Sequence, residues 1–281
     1  MLQFPKIPGY ELLEFLGGGP LTQVFSARDT ATDSRAAIKV LREDWEDQSA
    51  AIKLLQREAR AGLKVSHPHL VSIIHAHVMR PPYFLVMELL PGESLRRRLQ
   101  RDYRLVLSDA VWIARQSVEA LAALHRFGFI HGDVKPDNIR LVDDGTAKLI
   151  DLGFAHRHGE NAALVQQGYL LGTANYLAPE LCANDPLADE SSDLFSFGVT
   201  LYEMLAGRLP YSAGATSQVL KRHRCDPPVD IRLFCDGLPA ALVTLIERLL
   251  SRRPGDRPRA RSVVQQLIAL EIASLRHRRT A

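Results

Sequence analysis

Three short runs between His131 and Glu180 carry residue types able to do chemistry together: His131-Gly-Asp-Val-Lys-Pro-Asp-Asn138, Asp151-Leu-Gly153 and Ala178-Pro-Glu180. Asp133 is a carboxylate that can take a proton from a hydroxyl. Lys135 is a cation that can neutralise a phosphoryl group in transfer, and Asn138 and Asp151 supply the oxygen ligands that Mg²⁺ prefers. The set points to phosphoryl transfer.

The elements that must position these groups can be read from the same chain. Tyr10 to Leu16, Val24 to Ala27 and Ala36 to Leu41 are short apolar runs bounded by glycine or polar residues, so they are expected as strands. A helix is expected over roughly Gln48 to Val65, with Ile52, Leu55, Ala59 and Leu63 on one face. Val71 to Val78 and Tyr83 to Glu88 would complete a small sheet. After Pro91-Gly92 the pattern changes to long helical runs, including Ser108 to Phe127 and Ser191 to Ala206, interrupted by a hairpin from Ile139 to Ile150 that turns at Asp144-Gly145. Lys39 lies in an apolar strand, where an unpaired ammonium is costly, so a carboxylate partner and a phosphate are expected for it. Glu58 is the candidate partner. Gly62, one turn later, costs about 1 kcal/mol of helix propensity, which makes this helix a candidate for movement.

Taken in order, these runs resemble a eukaryotic-type protein kinase domain, closest to the bacterial Ser/Thr kinases, from about Tyr10 to about Leu270. Leu16-Gly-Gly-Gly-Pro-Leu-Thr-Gln-Val24 resembles the glycine-rich loop and Ala36-Ala-Ile-Lys39 the strand carrying the ATP lysine. The resemblance implies an α+β, bilobal fold: an N-lobe over residues 8–88 with a small antiparallel sheet and one main helix, and a helical C-lobe over 89–272. A basic tail follows over 273–281. It also implies ATP in the cleft between the lobes, with Mg²⁺, or Mn²⁺ in its place, as the metal.

Residue by residue, the resemblance makes Asp133 the base, Lys135 the phosphoryl clamp, and Asn138 and Asp151 the metal ligands. Thr173 would bridge Asp133 and Lys135. Gly17 and Gly19 would let backbone approach the phosphates, with Lys39 and Glu58 anchoring them. Met87 would control access behind the adenine, Glu88 to Leu90 would hydrogen-bond it, and Leu16, Val24 and Ala37 would cover its faces. Glu180 and Arg257 are expected as a buried pair locking the docking segment. Asp193 is expected to cap the central helix and orient the catalytic loop.

Several positions depart from the family pattern. Thr22 replaces the third glycine of the loop, and Pro20 stiffens its tip. Arg140 stands where relatives place an aliphatic floor for adenine; its methylene stem would serve while the guanidinium reaches water. Gly132 replaces the arginine that in relatives receives a phosphorylated activation loop, and Asp151 to Gly172 contains no Ser or Thr, only Tyr169. Activity independent of phosphorylation there is therefore expected. Two other functions stay open: a pseudokinase acting as an interaction module, and a small-molecule phosphotransferase of the aminoglycoside or choline type, which shares His-Gly-Asp. Lys135 and Gly172-Thr-Ala-Asn-Tyr176 favour protein Ser/Thr acceptors over both small molecules and tyrosine.

Composition agrees. The chain has 281 residues, 46% of them hydrophobic and 24% charged, enough for a substantial core, and its net charge of +3 gives nucleic-acid binding no support. Cys182, Cys225 and Cys235 form no metal-like pair, which favours a reducing cytoplasm. Leu194 to Ala206 is too short for a membrane span, and Met1 to Lys6 does not read as a secretory leader, so the expectation is a minimal, soluble enzyme of undefined oligomeric state. The alternating pairs His67/His69, His75/His77 and His156/His158 and the Arg96 to Arg98 run are expected to be solvated rather than metal-binding or docking groups.

Overall fold

The computed structural model describes residues 4–162, 171–183 and 189–279, with side chains described through residue 273. β1 (Tyr10–Gly18), β2 (Thr22–Asp29) and β3 (Arg35–Leu41) pair in sequence. β5 (Phe84–Met87) lies between β3 and β4 (Ile73–His77), so the antiparallel sheet runs β1-β2-β3-β5-β4. Alternation along β3 decides which side chains meet which neighbours. Ala36, Ile38 and Val40 pack with Phe25, Phe84 and Val86 on one face. Ala37 and Leu41 pack on the other with Leu85, Met87 and the helix residues Ala51, Leu55 and Ala59. Lys39 shares the parity of Ala37 and Leu41, which turns it toward the helix.

That helix, α1 (Ser49–Lys64), is bounded by Gln48 and Val65 as its caps. Its two ends belong to different cores. Ala51, Leu55 and Ala59 join the sheet cluster, whereas Ala61 and Val65, with Leu70, join the core of the larger lobe. Gly62 has a packing reason: a Cβ there would stand 2.3 Å from Ile73 Cδ1, so only glycine lets the helix lie this close to β4. The segment after α1 is stitched to the larger lobe by backbone bonds, Val71 N–H to Leu149 O at 2.9 Å and Leu149 N–H to His69 O at 2.8 Å.

The larger lobe begins with β6 (Glu93–Ser94), α2 (Leu95–Asp102) and α3 (Leu107–Arg126). β7 (Ile139–Leu141) and β8 (Ala147–Leu149) form the hairpin and add β6 as a third strand. Then follow α4 (Pro179–Cys182), α5 (Glu190–Ala206), α6 (Thr216–Cys225), α7 (Ala240–Leu249) and α8 (Ala260–Arg279). The fold is α+β and bilobal. α5 is its axis: every residue from Ser192 to Ala206 is buried, and each of Leu194, Phe195, Phe197 and Leu201 contributes about 1.5–3 kcal/mol by leaving water.

Three expectations are corrected here. Asp193 does not cap α5, because the helix starts earlier: Asp189 is the N-cap, accepting the Ser191 amide at 2.8 Å, and Asp193 sits inside the first turn. The backbone of α8 continues to Arg279, so no break in structure separates a tail at residue 273. Arg96 is not a solvated arginine, for reasons given with the site. No helix among the described residues is long and apolar enough to cross a membrane.

Candidate active site

Lys39 and Glu58 meet under α1. Lys39 Nζ donates to Glu58 Oε1 at 2.9 Å and Oε2 at 2.8 Å, and to Asp151 Oδ1 at 2.6 Å, which uses all three of its protons. Burial alone would lower the lysine's pKa, but the charges of Asp151 and Glu58 outweigh it and raise it. Burial likewise pushes Asp151 up, yet Lys39 reverses this and holds the carboxyl at about 2. Glu58 is pushed above its ordinary value by burial, with Lys39 opposing. Asp151 adopts φ +63°, a left-handed conformation that aspartate tolerates better than most residues, and its Oδ1 also accepts the Gly153 amide at 3.2 Å.

The loop between α3 and β7 carries the second group of residues. Asp133 is buried, with Oδ1 accepting Thr173 Oγ1 at 2.8 Å and Oδ2 facing Lys135 Nζ at 2.6 Å. Lys135 Nζ also donates to Thr173 Oγ1 at 2.6 Å. Asn138 Nδ2 donates to Asp133 O at 2.8 Å and Oδ2 at 3.0 Å, which leaves its Oδ1 for a cation. His131 Nδ1 accepts the Asp133 amide at 3.2 Å, so Nε2 carries the ring proton and donates to Ile150 O at 3.2 Å. The sequence-predicted residues Asp133, Lys135, Asn138 and Thr173 thus form one hydrogen-bonded cluster.

The loop backbone is held from below. Asp193 Oδ2 accepts the His131 amide at 2.8 Å and Oδ1 the Gly132 amide at 2.9 Å, while His125 Nε2 lies 2.8 Å from Oδ2. Burial pushes the Asp193 carboxyl up, but His125 and these donors bring it below the usual range. Gly132 sits at φ +82°, and a Cβ would meet Phe154 O at 2.9 Å, so any side chain here would strain this backbone. Glu180 and Arg257 form a bidentate buried pair, Nη1 to Oε1 at 2.6 Å and Nη2 to Oε2 at 2.8 Å. Ser192 Oγ also donates to Glu180, at 2.9 Å.

Under the sheet, Ala37 and Met87 are core residues with Val24 and Leu90 packed against them. Leu16 lies outside that cluster and is 46% exposed. Gly17 and Gly19 bracket the turn between β1 and β2, where Gly19 N–H donates to Thr22 O at 2.9 Å. The Glu88 amide donates to Ser72 O at 3.0 Å, which leaves the Glu88 carbonyl and the Leu90 amide for a base. The Glu88 carboxylate is held by Lys148 at 2.7 Å. Arg140 alternates with the core residue Ile139 and so faces away from the large-lobe core. Among the described residues its Nε is buried with no hydrogen-bond partner, and burial lowers the guanidinium's pKa.

A further network, not legible from spacing along the chain, centres on Arg96. Arg96 donates to Glu203 Oε1 at 2.6 Å, to Asp137 Oδ2 at 3.1 Å and to the Tyr176 hydroxyl, which itself donates to Glu203 Oε2 at 2.6 Å. This network ties α2, the loop before β7, the segment before α4, and α5 together. Among the described residues no group of His, Cys, Asp and Glu could by itself hold a metal ion. Tyr169 lies outside the described residues.

Residues 10–268 match the protein kinase domain family. The serine/threonine-protein kinase PknD of Mycobacterium tuberculosis is 33% identical over 249 residues, covering 88% of this chain and 37% of that protein. PrkC of Bacillus subtilis, also a serine/threonine-protein kinase, is 31% identical over 259 residues, covering 92% and 40%. A probable serine/threonine-protein kinase of Clostridium acetobutylicum is 29% identical over 248 residues, covering 88% and 37%. The chain spans about two fifths of the length of these curated relatives. The family match over nearly the whole chain coincides with the bilobal fold and the clustered loop residues: the chain belongs to the protein kinase domain family.

Proposed function

We propose that this chain transfers the γ-phosphate of ATP to Ser or Thr hydroxyls of protein substrates. The observation that carries the reading is the cluster in which Thr173 and Lys135 both engage Asp133. Asp133, aimed by Thr173, Lys135 and Asn138, accepts the proton of the acceptor hydroxyl. Lys135 neutralises the phosphoryl group as it moves, and Lys39, kept in place by Glu58, exchanges its bond to Asp151 for a nucleotide phosphate. The Glu88 carbonyl and the Leu90 amide receive the adenine, between Val24 and Ala37 on one side and Arg140 on the other, with Gly17 and Gly19 over the phosphates. Glu180 with Arg257, and Asp193, are positioning residues.

Asn138 Oδ1 and the second carboxylate oxygen of Asp151 fit Mg²⁺, which binds through one or two protein oxygens plus phosphates and water. Bound there, the ion would neutralise phosphate charge. The three cysteines are free, which suits a reducing cytoplasm. Activity is independent of phosphorylation between Asp151 and Gly172, because Gly132 offers no cation to receive a phosphate and Tyr169 is the sole hydroxyl.

Incubating the chain with labelled ATP, Mg²⁺ and generic protein acceptors, beside Asp133→Asn, tests the reading. Phosphoserine or phosphothreonine is expected from the wild type, with a loss of about 10²–10⁴-fold in the variant. Equal signal from both would leave a pseudokinase module. Transfer only to an aminoglycoside or choline would leave the small-molecule reading.

A further inference from the structure

Glu58 is useful to Lys39 only while α1 keeps it turned inward, and the start of that helix is weakly held. Gln48 makes no side-chain cap bond, and the first turn contains no acidic residue. Beside the packing of Ala51, Leu55 and Ala59 and the Gln56 bond to Val78 O, a pair of arginines on either side of Glu58 in sequence ties the helix down. Arg57 Nη1 donates to Asn161 Oδ1 at 2.7 Å and Nη2 to the Glu160 carbonyl at 2.9 Å. Arg60 Nη2 donates to Glu160 Oε2 at 2.6 Å.

Glu160 is itself held from the other side. Its Oε2 accepts the Arg157 amide at 2.8 Å. The Arg60 and Arg157 guanidiniums lie 5.7 and 5.0 Å from the centre of one ring, Phe129, which precedes the catalytic loop. One carboxylate therefore joins α1 to the segment after Asp151-Leu-Gly153, and the Arg60 and Arg157 guanidiniums set both against Phe129. Burial pushes the Glu160 carboxyl up, but Arg60 and the Arg157 amide bring it below its ordinary range, so the charge is permanent at neutral pH.

We propose that Glu160 is a built-in anionic latch: through Arg60, and with Asn161 through Arg57, it holds α1 with Glu58 against Lys39. It does for this segment what an added phosphate does for a loop that carries an acceptor and a cationic receiver. Glu160, Arg57 and Arg60 are positioning residues. The consequence for catalysis rests on the protein kinase reading; the latch itself does not.

The test uses charge reversal in the full chain. Glu160→Arg and Arg60→Glu are made singly and together, and amide hydrogen exchange across residues 49–64 is followed without nucleotide. Each single variant is expected to raise exchange in α1 about tenfold, and the double variant to return it to within about threefold of wild type. Glu160→Gln, which keeps the shape and removes the charge, should raise it about threefold, and added salt should raise exchange in the wild type but not in this variant. In kinase assays kcat should fall about tenfold in each reversal and recover in the double, with KM for ATP within about threefold of wild type. Unchanged exchange in α1 on reversal and in Glu160→Gln, or a double variant no better than either single, would overturn the latch. A wild type inactive on every acceptor would overturn the kinase reading and leave the exchange result standing.

Discussion

Replacing Arg140 by leucine is expected to make the protein more stable, an unusual sign for a substitution facing a ligand cleft. Among the described residues Arg140 Nε is buried without an acceptor, and an unmet buried donor costs about 1–3 kcal/mol. The direction of its pKa agrees: burial lowers it first of all, Asp143 and Glu93 oppose this, and Arg97 adds to it. Leucine forfeits the attraction to those two carboxylates, which at partly exposed positions is worth about 0–1 kcal/mol. The balance is a gain of about 1 kcal/mol, or a rise of roughly 2–4 °C in thermal midpoint for a chain of this size. A leucine floor also gives adenine an apolar surface. One further buried methylene equivalent, about 0.8 kcal/mol, corresponds to about fourfold tighter ADP binding. Thermal melts at pH 7 and calorimetric ADP titration of both proteins measure the two effects. A leucine variant that melts lower, or that binds ADP more weakly, would refute the reasoning, because it would mean that the guanidinium finds a partner on the nucleotide or in the fold worth more than its desolvation.

Asp193→Asn leaves one of three buried donors without an acceptor, so a stability loss of about 1–3 kcal/mol is expected by denaturant titration, together with at least about a tenfold fall in kcat as the backbone two residues before Asp133 loosens; an unchanged kcat would remove Asp193 from the positioning of the loop. Glu180→Ala removes the carboxylate that neutralises the Arg257 guanidinium, whose side chain is 0% exposed and keeps only the carbonyls of Ser251, Ser191 and Arg252, and should cost about 3–5 kcal/mol; a loss below about 1 kcal/mol would refute that account. The pH dependence has a definite sign: burial lowers the pKa of His156 and His223 in the folded state, so below about 6.5 the unfolded chain binds protons that the native state refuses, and stability falls as pH drops. Melting at pH 5.5 should come below melting at pH 7.5, with the difference reduced in His223→Gln; equal midpoints would contradict it.

What could be read from the sequence follows the range over which each residue acts. Lys39, Asp133, Asn138 and Asp151 sit in short runs where chemistry dictates residue type and spacing, and the structure brings Asp133 to Asn138 and Lys39 to Asp151. The sheet and the ends of α1 and α3 came within a residue or two, because apolar periodicity is local. Arg96 is not legible in the sequence because its partner Glu203 is 107 positions away, and nothing in a basic run reveals a distant carboxylate. Asp193 holds the His131 and Gly132 amides rather than a helix end, because Asp189 already caps α5; those loop amides are 62 and 61 positions away in the chain. Gly62 looked like a weak point in a helix; the cause of its small size is Ile73, on another element.

The backbone stitches between residues 69–71 and Leu149 give the two lobes a mechanical boundary that differs from the one along the chain. A cut at residue 88 assigns all of α1 to the small lobe. Yet Ala61, Val65 and Leu70 are packed in the core of the large one, and the strand hydrogen bonds to Leu149 fasten the segment that follows. The lobes are therefore joined by two straps, and a swing of the sheet must turn about a line through both. Near that line little moves. The last turn of α1 would stay with the large lobe while its first turn travels with the sheet, so cleft opening is felt by this helix as a tilt about its own C-terminal end. Glu58, partway along, would be displaced less than Ser49, and small cleft motions would leave its bond to Lys39 intact.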